Sequence, residues 1–360
     1  MSKSSVRIDC AHFNGYKPCR PHKVAGHHCE GCPEFTPQGP NILVIKLRAA
    51  GEVVRNTPLI SKLKKEYPGC RIYWLTAYPE LISKKDVHRV LPWSFESTLV
   101  LEDLEFELLL SLDKDLEACA LANRVRARTK KGFSQWNGGI TAFDQDAHPK
   151  WERGVFDDLM KANTQHYIAE TFAVCGWEFQ EEEYLLPSYR APQVELSSDP
   201  KKKKIALNTG AGDAWKPRKY SESRWIELAK ILIASGNEVY LVGGPAEEPT
   251  NRAIAKASGA KYFGTYGMTD FIGLLSLADA VVTSVSFAFH LAVGLKKPMV
   301  LLNNTFNPHE FYMYGRGVVL QPELDCLMCY KNDFDDQCVT RDCMDLIRPD
   351  QIQAALQKLI

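Results

Sequence analysis

Short apolar runs alternate with longer amphipathic stretches in the first half of this chain. The first run, residues 41–47 (NILVIKL), is rich in branched side chains and has the length of a buried parallel strand. An amphipathic stretch at helical spacing follows it, and Pro68-Gly69 is expected to end that helix. Further apolar runs at 71–77 and 106–113 predict two more strands. Strands that alternate with helices favour a parallel α/β sheet.

The same alternation begins again after residue 200. The predicted strands there are 204–210, 238–244, 280–284 and 298–303, and the predicted helices are 224–236, 271–279 and 287–295. Open α/β sheets bind ligands in the crevice at the carboxyl ends of their strands. We therefore expect two Rossmann-like domains that face each other across a cleft.

A polar, proline-containing segment, residues 190–204 (RAPQVELSSDPKKKK), separates the two halves. It divides the chain into a cysteine-rich segment at 1–40, an N-terminal Rossmann-like domain at 41–190, a linker at 191–203 and a C-terminal Rossmann-like domain at 204–360. The last predicted helix, 349–360, could pack on either domain.

Composition and charge exclude several classes of protein. Of the 360 residues, 45% are hydrophobic and 24% charged, which is ordinary for a globular chain of about two domains. Lysine plus arginine and aspartate plus glutamate both number 44, so no basic excess marks the chain for nucleic acid. No apolar stretch is long enough to span a bilayer, and the first residues lack the apolar core of a signal peptide. We expect a cytoplasmic protein.

Cysteines are unusually frequent for a cytoplasmic chain, and eight of the eleven form two clusters. They are Cys10, Cys19, Cys29 and Cys32 near the N-terminus, and Cys326, Cys329, Cys338 and Cys343 in a C-terminal finger at 326–343. A CxxC pair and a second pair of thiolates can complete a tetrahedral metal shell, and a reducing compartment disfavours disulfides. We predict structural zinc or iron, on one shared site or on two; free thiols or disulfides are the alternatives.

A carboxylate stands where the first predicted strand meets its helix. Glu52 follows Gly51 in IKLRAAGEVV, so its side chain is expected to point into the cleft. It could act as a general base, or simply as a favourable negative charge at the helix N-terminus.

Three segments of the second half carry candidate phosphate- or sugar-binding groups. Glycines allow backbone approach to an anion, lysine and arginine neutralise a diphosphate, and serines at a helix N-terminus can bind phosphate. The candidates are Thr209, Gly210, Gly212, Arg218 and Lys219 in the first segment, Gly244 and Glu247 in the second, and Ser284, Ser286 and His290 in the third. The alternatives are a solvated basic loop, surface carboxylates and a core histidine.

The order of these segments resembles glycosyltransferase family 9, the ADP-heptose transferases of lipopolysaccharide core synthesis and their protein-modifying relatives. NILVIKLRAAGEVVRNTPLI resembles the strand–"GD"–helix opening of that family, and NTGAGDAWKPRKYSESRWIEL its "PGA…KRWP…W…L" segment. VVTSVSFAFHLAVGLKKPMVLL resembles its "DSGpmHlA" segment, and the C-terminal cysteines are similar to a finger that binds iron in autotransporter heptosyltransferases.

The resemblance implies a GT-B fold and an inverting sugar transfer that needs no catalytic metal. It places the acceptor-activating carboxylate on Glu52, the phosphate-binding cation on Arg218 beside Lys219, and the motif histidine on His290. The aspartate and the glycine of "DSG" fall on Val285 and Phe287. Two alternatives follow: a non-catalytic relative acting as a binding or assembly protein, or a metalloprotein that uses the cysteine clusters directly.

The resemblance also implies the partners. They are a nucleotide-sugar donor and a lipopolysaccharide-core, glycan, lipid-linked or protein acceptor. A lipid-linked acceptor would bring the chain to the inner membrane surface, and cysteine fingers could support a homo-oligomer.

Overall fold

Two parallel sheets organise the chain, and each is built around a central apolar strand. In the computed structural model, which describes residues 6–212, 216–331, 338 and 342–360, each sheet has six strands. The first sheet contains β1 (Asn41–Ile45), β2 (Arg71–Thr76), β3 (Arg89–Pro92), β4 (Glu105–Ser111), β5 (Arg126–Trp136) and β6 (Gly139–Ala142). The second contains β7 (Lys204–Asn208), β8 (Glu238–Val242), β9 (Lys261–Tyr262), β10 (Ala280–Ser284), β11 (Met299–Leu302) and β12 (Gly317–Leu320).

Both sheets have the same strand order. The first runs β3-β2-β1-β4-β5-β6, and the second runs β12-β11-β10-β7-β8-β9, which is the same order read from the opposite edge. The pairs are parallel except β5 with β6, an antiparallel hairpin at the edge of the first sheet. The winding therefore changes direction next to β1 in one sheet and next to β7 in the other, and such switch points are where α/β sheets bind ligands.

Helices cover the faces of the sheets. Those of the first half are α1 (Arg20–Ala25), α2 (Ala50–Arg55), α3 (Pro58–Glu66), α4 (Phe95–Asp103), α5 (Leu116–Arg124), α6 (His148–Arg153), α7 (Asp157–Ala162) and α8 (Tyr167–Val174). Those of the second half are α9 (Glu222–Ala234), α10 (Glu248–Ser258), α11 (Met268–Ser276), α12 (Phe287–Gly294) and α13 (Pro349–Leu359). No helix in these described ranges is both long and apolar enough to cross a membrane.

The predicted helix after β1 is divided into two. Helix α2 ends before Asn56, and Pro58 occupies the first position of α3. Proline has no N–H with which to continue the hydrogen-bond ladder of α2, but its fixed φ suits the first turn of a new helix. Between the two helices, the hydroxyl of Thr57 donates to the carbonyl of Val54 at 2.7 Å and so gives a carbonyl at the end of α2 a hydrogen-bond partner.

The two domains pack directly against each other. Helix α2 meets α12 so closely that a Cβ added at Gly51 would lie 2.5 Å from Cδ2 of His290. Arg316 forms two hydrogen bonds with Glu183, at 2.8 and 2.9 Å, at another part of the interface. Helix α13 stays with the second sheet, where Leu356 is buried in the same cluster as Trp225 of α9. The predicted pair of α/β domains facing across a cleft is thus confirmed.

Candidate active site

One cavity of about 740 Å³ lies between the two sheets at the carboxyl ends of their strands. Its lining comes from the segments that follow β1, β2, β7, β8, β9, β10 and β11, which include the switch point of each sheet. Pockets of this size hold small organic ligands. The polar and glycine residues in the lining are Gly51, Glu52, Arg55, Tyr78, Asn208, Gly210, Gly212, Arg218, Gly243, Gly244, Glu247, Tyr266, Gly267, Ser286, His290 and Glu310.

The wall from the first sheet carries paired charges. Asp113, just beyond β4, accepts from Lys46 Nζ at 2.9 Å and from the backbone N–H of Arg48 at 3.1 Å, so it holds the segment after β1 in place. Helix α2 then presents Glu52 in its first turn, with 27% of the side chain exposed, and Arg55 donates to its Oε1. The guanidinium carbon of Arg55 lies 3.3 Å from the ring centroid of Tyr167, which fixes its plane.

Glu52 is ionised at neutral pH. Burial works to raise the pKa of Glu52, but the positive charges of Arg55 and Lys46 outweigh it and lower that pKa. The carboxylate can therefore accept a hydrogen bond from a substrate hydroxyl.

Deeper in this wall, a second set of charges surrounds one carboxylate. Glu170 is 1% exposed and accepts from Lys150 Nζ and from Asn163 Nδ2 at 3.2 Å. Its Oε1 also forms an ion pair with Arg153, 2.6 Å from Nε. Lys150 lies 3.8 Å from the same Tyr167 ring that Arg55 covers. Tyr167 thus joins this set to Glu52.

The wall from the second sheet is a glycine-containing loop organised by one asparagine. Asn208, at the end of β7 and 3% exposed, donates to the carbonyl of Gly210 at 2.7 Å, to Thr283 Oγ1 at 2.9 Å and to Ser286 Oγ at 3.1 Å. It thereby joins the loop after β7 to the start of α12. Gly212 has a φ of +67°, and a Cβ there would lie 3.3 Å from Nη2 of Arg218, so glycine lets the guanidinium approach the loop.

Arg218 is the cation of this wall. In the described part of the chain no carboxylate pairs with it, and its buried Nε has no hydrogen-bond partner there. Burial lowers the pKa of Arg218 to about 10, which still leaves the group charged at neutral pH. A desolvated guanidinium beside a glycine loop is suited to bind a diphosphate in bidentate fashion.

His290 lies in α12 where the two walls meet. It is 6% exposed, and its Nδ1 is 3.5 Å from the hydroxyl of Tyr184. Burial, and then the positive charge of Arg55, lower the pKa of His290 to about 3. The imidazole is therefore neutral at physiological pH and can offer a hydrogen bond but no charge.

The start of α12 is apolar on its cavity side. Val285 and Phe287 both line the cavity, and the ring of Phe287 stacks on that of Phe271 with centroids 6.2 Å apart. Between them, Ser286 presents the one polar side chain of this turn.

Glu247 lines the cavity in the segment that follows β8. Its Oε2 accepts from the backbone N–H of Gly244 at 2.9 Å, and a Cβ at Gly210 would lie 3.2 Å from its carboxyl carbon. Glycine at position 210 therefore lets the loop after β7 approach this carboxylate of the segment after β8.

The structure brings most of the predicted residues together. Those in the cavity lining are Glu52, Gly210, Gly212, Arg218, Gly244, Glu247, Ser286 and His290. Three others do not line it: Thr209 donates to Asn251 Oδ1 at 2.6 Å, Ser284 is buried at the end of β10, and Lys219 is exposed.

The cysteine clusters do not form a metal shell among the described residues. Within residues 6–212, 216–331, 338 and 342–360, no three cysteine, histidine or acidic side chains come together as ligands. Cys343 accepts from Asn304 Nδ2 at 2.9 Å, and Cys29 and Cys32 share one backbone turn. The predicted metal therefore stays a prediction, and no chemical step is assigned to it.

Sequence reasoning missed several residues of the cavity, among them Arg55, Asn208 and Glu310. Arg55 could have been found because it lies one helical turn beyond Glu52. Asn208 is a polar residue at the last position of an apolar strand, which is a usable signal. Glu310 follows β11 in a segment without a motif, and only the folded chain brings it to the cavity.

Comparison with known proteins agrees with this architecture. Two Rossmann-like domains with the site between them constitute the GT-B fold of nucleotide-sugar-dependent transferases. The family model described as glycosyltransferase family 9 (heptosyltransferase) matches residues 99–334, well over half of the chain. The chain belongs to glycosyltransferase family 9. The match begins beyond Glu52 and Arg55, so it does not cover these two residues of the first wall.

Several solved structures share the fold at low sequence identity. The family 9 glycosyltransferase from Veillonella parvula is 14% identical with a TM-score of 0.65, over 89% of this chain and 97% of that chain. ADP-heptose lipopolysaccharide heptosyltransferase II from E. coli is 16% identical with a TM-score of 0.61, over 89% and 98%. The iron-containing dodecameric glycosyltransferase TibC from enterotoxigenic E. coli is 16% identical with a TM-score of 0.57, over 89% and 78%. Comparison with curated protein sequences finds no match.

Proposed function

We propose that this chain is an inverting glycosyltransferase that moves a sugar from a nucleotide-activated donor to a hydroxyl group. The proposal rests above all on one observation: Glu52 and Arg218 line the same cavity from opposite domains. An ionised carboxylate on one wall and a desolvated guanidinium on the other are the two groups that such a transfer needs.

In the proposed reaction, the acceptor hydroxyl lies against Glu52 and the donor diphosphate against Arg218. The acceptor oxygen attacks the anomeric carbon while the bond from that carbon to the phosphate oxygen breaks. The hydroxyl proton goes to Glu52, and the nucleoside diphosphate leaves with the bonding electron pair. Arg218 and the backbone of the loop at 210–212 stabilise the negative charge that develops on the leaving group.

We infer an ADP-linked heptose or a related sugar as the donor. The names of two structurally similar proteins support this: one is an ADP-heptose heptosyltransferase, and TibC was solved in complex with ADP-D-β-D-heptose. The acceptor in this proposal is a hydroxyl of a lipopolysaccharide core, another glycan or a protein. Such an enzyme would work in the cytoplasm, at the inner membrane surface where the acceptor is lipid-linked.

The test is a calorimetric titration of reduced protein with ADP, ADP-heptose, GDP, UDP and CDP. We expect saturable binding of one nucleotide, and about a tenfold to hundredfold loss of its affinity in Arg218→Ala, because a charge-assisted contact with phosphate is lost. The exposed Arg252, which pairs with Glu248, provides the control variant Arg252→Ala with unchanged affinity. If no nucleotide binds at millimolar concentration, the proposal is wrong, and a non-catalytic role becomes the better account of Val285 and Phe287.

A structural metal on the cysteine segments is a separate part of the proposal. The clustering of eight cysteines supports it, as does the iron-containing nature of TibC. Metal analysis of protein purified without chelators tests it: we expect zinc or iron that the double variant Cys326→Ser, Cys329→Ser loses in part. TibC is dodecameric, and the same preparation would show by light scattering whether this chain also forms an oligomer.

A further inference from the structure

Three carboxylates line the described cavity, and one of them differs from the others. Glu52 pairs with Arg55, and Glu247 accepts from the backbone of Gly244. Glu310, 8% exposed, has neither a cation nor a backbone N–H as a partner within the described chain.

Glu310 is nevertheless held in one orientation. The hydroxyl of Tyr330 donates to its Oε1 at 2.6 Å, and that same hydroxyl accepts from the backbone N–H of Asn307 at 3.0 Å. The backbone N–H of Tyr330 in turn donates to the carbonyl of Thr305 at 3.1 Å. Only Oε1 of Glu310 is engaged in this way. Its Oε2 has no donor among the described residues.

The position of Glu310 places it near the start of α12. The next residue, Phe311, packs edge-on against Phe289 of that helix, with centroids 5.4 Å apart. This contact brings the loop after β11 alongside the turn that carries Val285, which has no polar atom in its side chain. Glu310 therefore supplies a carboxylate from a different loop to the cavity that Val285 also lines.

The surroundings of Glu310 indicate what it binds. A carboxylate repels the donor's phosphates, so its ligand is not the diphosphate. The aromatic rings of Phe306 and Phe311 line the cavity on either side of it in sequence. Flat rings that pack on C–H groups, together with a carboxylate that accepts from hydroxyls, suit a pyranose. Burial raises the pKa of Glu310, so hydroxyl donors from a ligand would satisfy a group that the protein leaves partly unsatisfied.

We propose that Glu310 accepts hydrogen bonds from hydroxyl groups of the transferred sugar and that Tyr330 positions it for this contact. The inference rests on the proposed nucleotide-sugar transfer and specifies how the sugar, as distinct from the nucleotide, is recognised. Tyr330 directly follows Cys329, so the cysteine finger contributes a positioning residue to the site.

The experiment compares each nucleotide sugar with its own nucleoside diphosphate. Calorimetry gives the affinities for ADP and ADP-heptose, GDP and GDP-mannose, and UDP and UDP-glucose. The gain from the sugar is the ratio of the affinity for the nucleotide sugar to the affinity for its nucleoside diphosphate. For the pair that binds, we expect Glu310→Gln to reduce this gain about tenfold and Tyr330→Phe about threefold, because a hydrogen bond to a charged group is lost or misdirected. Nucleoside diphosphate affinity should stay unchanged in both variants. The exposed Glu323 provides the control, Glu323→Gln, with an unchanged gain.

Each outcome decides between the two proposals. An unchanged gain in Glu310→Gln, or an equal loss of nucleoside diphosphate affinity, overturns the inference and leaves the proposed function intact. Binding of nucleoside diphosphate without any gain from the sugar in the wild type overturns it as well. If the wild type binds no nucleotide at all, the proposed function fails and the inference fails with it. Glu310→Asp, which keeps the charge, replaces Glu310→Gln if the latter does not fold.

Discussion

The two walls of the cavity use charge in opposite ways. On the wall from the first sheet every charged group named above has a partner: Lys46 is paired with Asp113, and Arg55 with Glu52. On the wall from the second sheet Arg218 has no carboxylate partner in the described part of the chain, and Gly212 lies against its guanidinium. The charges named on the first wall are paired, whereas the guanidinium of Arg218 on the second wall has no paired carboxylate among the described residues.

The two walls therefore differ in how they would respond to a bound ligand. A charge pair that is already desolvated holds its side chains in one geometry, and breaking it is costly because the remaining charge stays buried. An unpartnered guanidinium gains the full benefit of a charge-assisted contact when an anion arrives. This difference fits the proposed reaction, in which the first wall positions the acceptor and the second binds the leaving diphosphate.

Removing the charge of Glu52 should have the largest effect. In Glu52→Gln we expect the rate of transfer to fall about 10²- to 10⁴-fold, because the acceptor hydroxyl loses its proton acceptor. Affinity for the nucleotide should remain, since that contact belongs to the other wall. Initial rates at saturating donor, with calorimetry alongside, provide the measurement.

The charge-matched control is Glu66→Gln, an exposed residue of α3, which should transfer at the wild-type rate. If Glu52→Gln keeps the wild-type rate, another carboxylate of the cavity is the base. The assignment of the acceptor to the first wall would then be wrong.

Removing the buried carboxylate behind the first wall should have the next largest effect, on stability. Glu170→Gln leaves Lys150 and Arg153 without their carboxylate in a buried place, so we expect the free energy of unfolding to fall by about 3 kcal/mol. Urea denaturation measures it. The exposed pair of Glu248 and Arg252 provides the comparison, since Glu248→Gln should change stability by less than about 0.5 kcal/mol. If both variants lose the same unfolding free energy, the buried ion pairs behind the first wall are no more important to stability than an exposed pair.

The sequence predicts the central strands of each sheet far better than it predicts the edge strands. Central strands such as β1 and β10 are short apolar runs buried on both faces, and five residues are too few for a buried helix. Edge elements escape this reasoning: β5 carries arginines and lysines along its length, and β9 has only two residues. Their strand state comes from pairing with a neighbour rather than from a pattern of their own.

The site is predictable where a residue follows a strand and not where a tertiary contact selects it. Glu52 and Ser286 each come just after a central strand, so topology alone places them at the cleft. Thr209 occupies an equally favourable place, yet its hydroxyl turns to Asn251, because a buried amide offers it a partner. Glu310 reaches the cavity through the packing of Phe311 and the hydroxyl of Tyr330, neither of which has a local signature.

The smallest expected effect is a loss of stability at acidic pH, caused by His290 where the two walls meet. The groups facing His290 are Arg55, Glu52 and Tyr184, and burial and then Arg55 hold the pKa of His290 at about 3, against an ordinary value of 6.5. Between pH 6.5 and pH 3, His290 is therefore protonated in the unfolded chain and neutral in the folded chain. The free energy of unfolding falls as the pH drops through this range.

Between pH 7 and pH 5 this histidine alone should cost about 2 kcal/mol of unfolding free energy. Urea denaturation of the wild type and of His290→Gln at the two pH values isolates that share, because the other titrating groups are common to both proteins. We expect the wild type to lose about 2 kcal/mol more than the variant on acidification. Parallel losses would mean that His290 accepts a proton in the folded chain. In that case Glu52, and not Arg55, would dominate the electrostatics where the two walls meet.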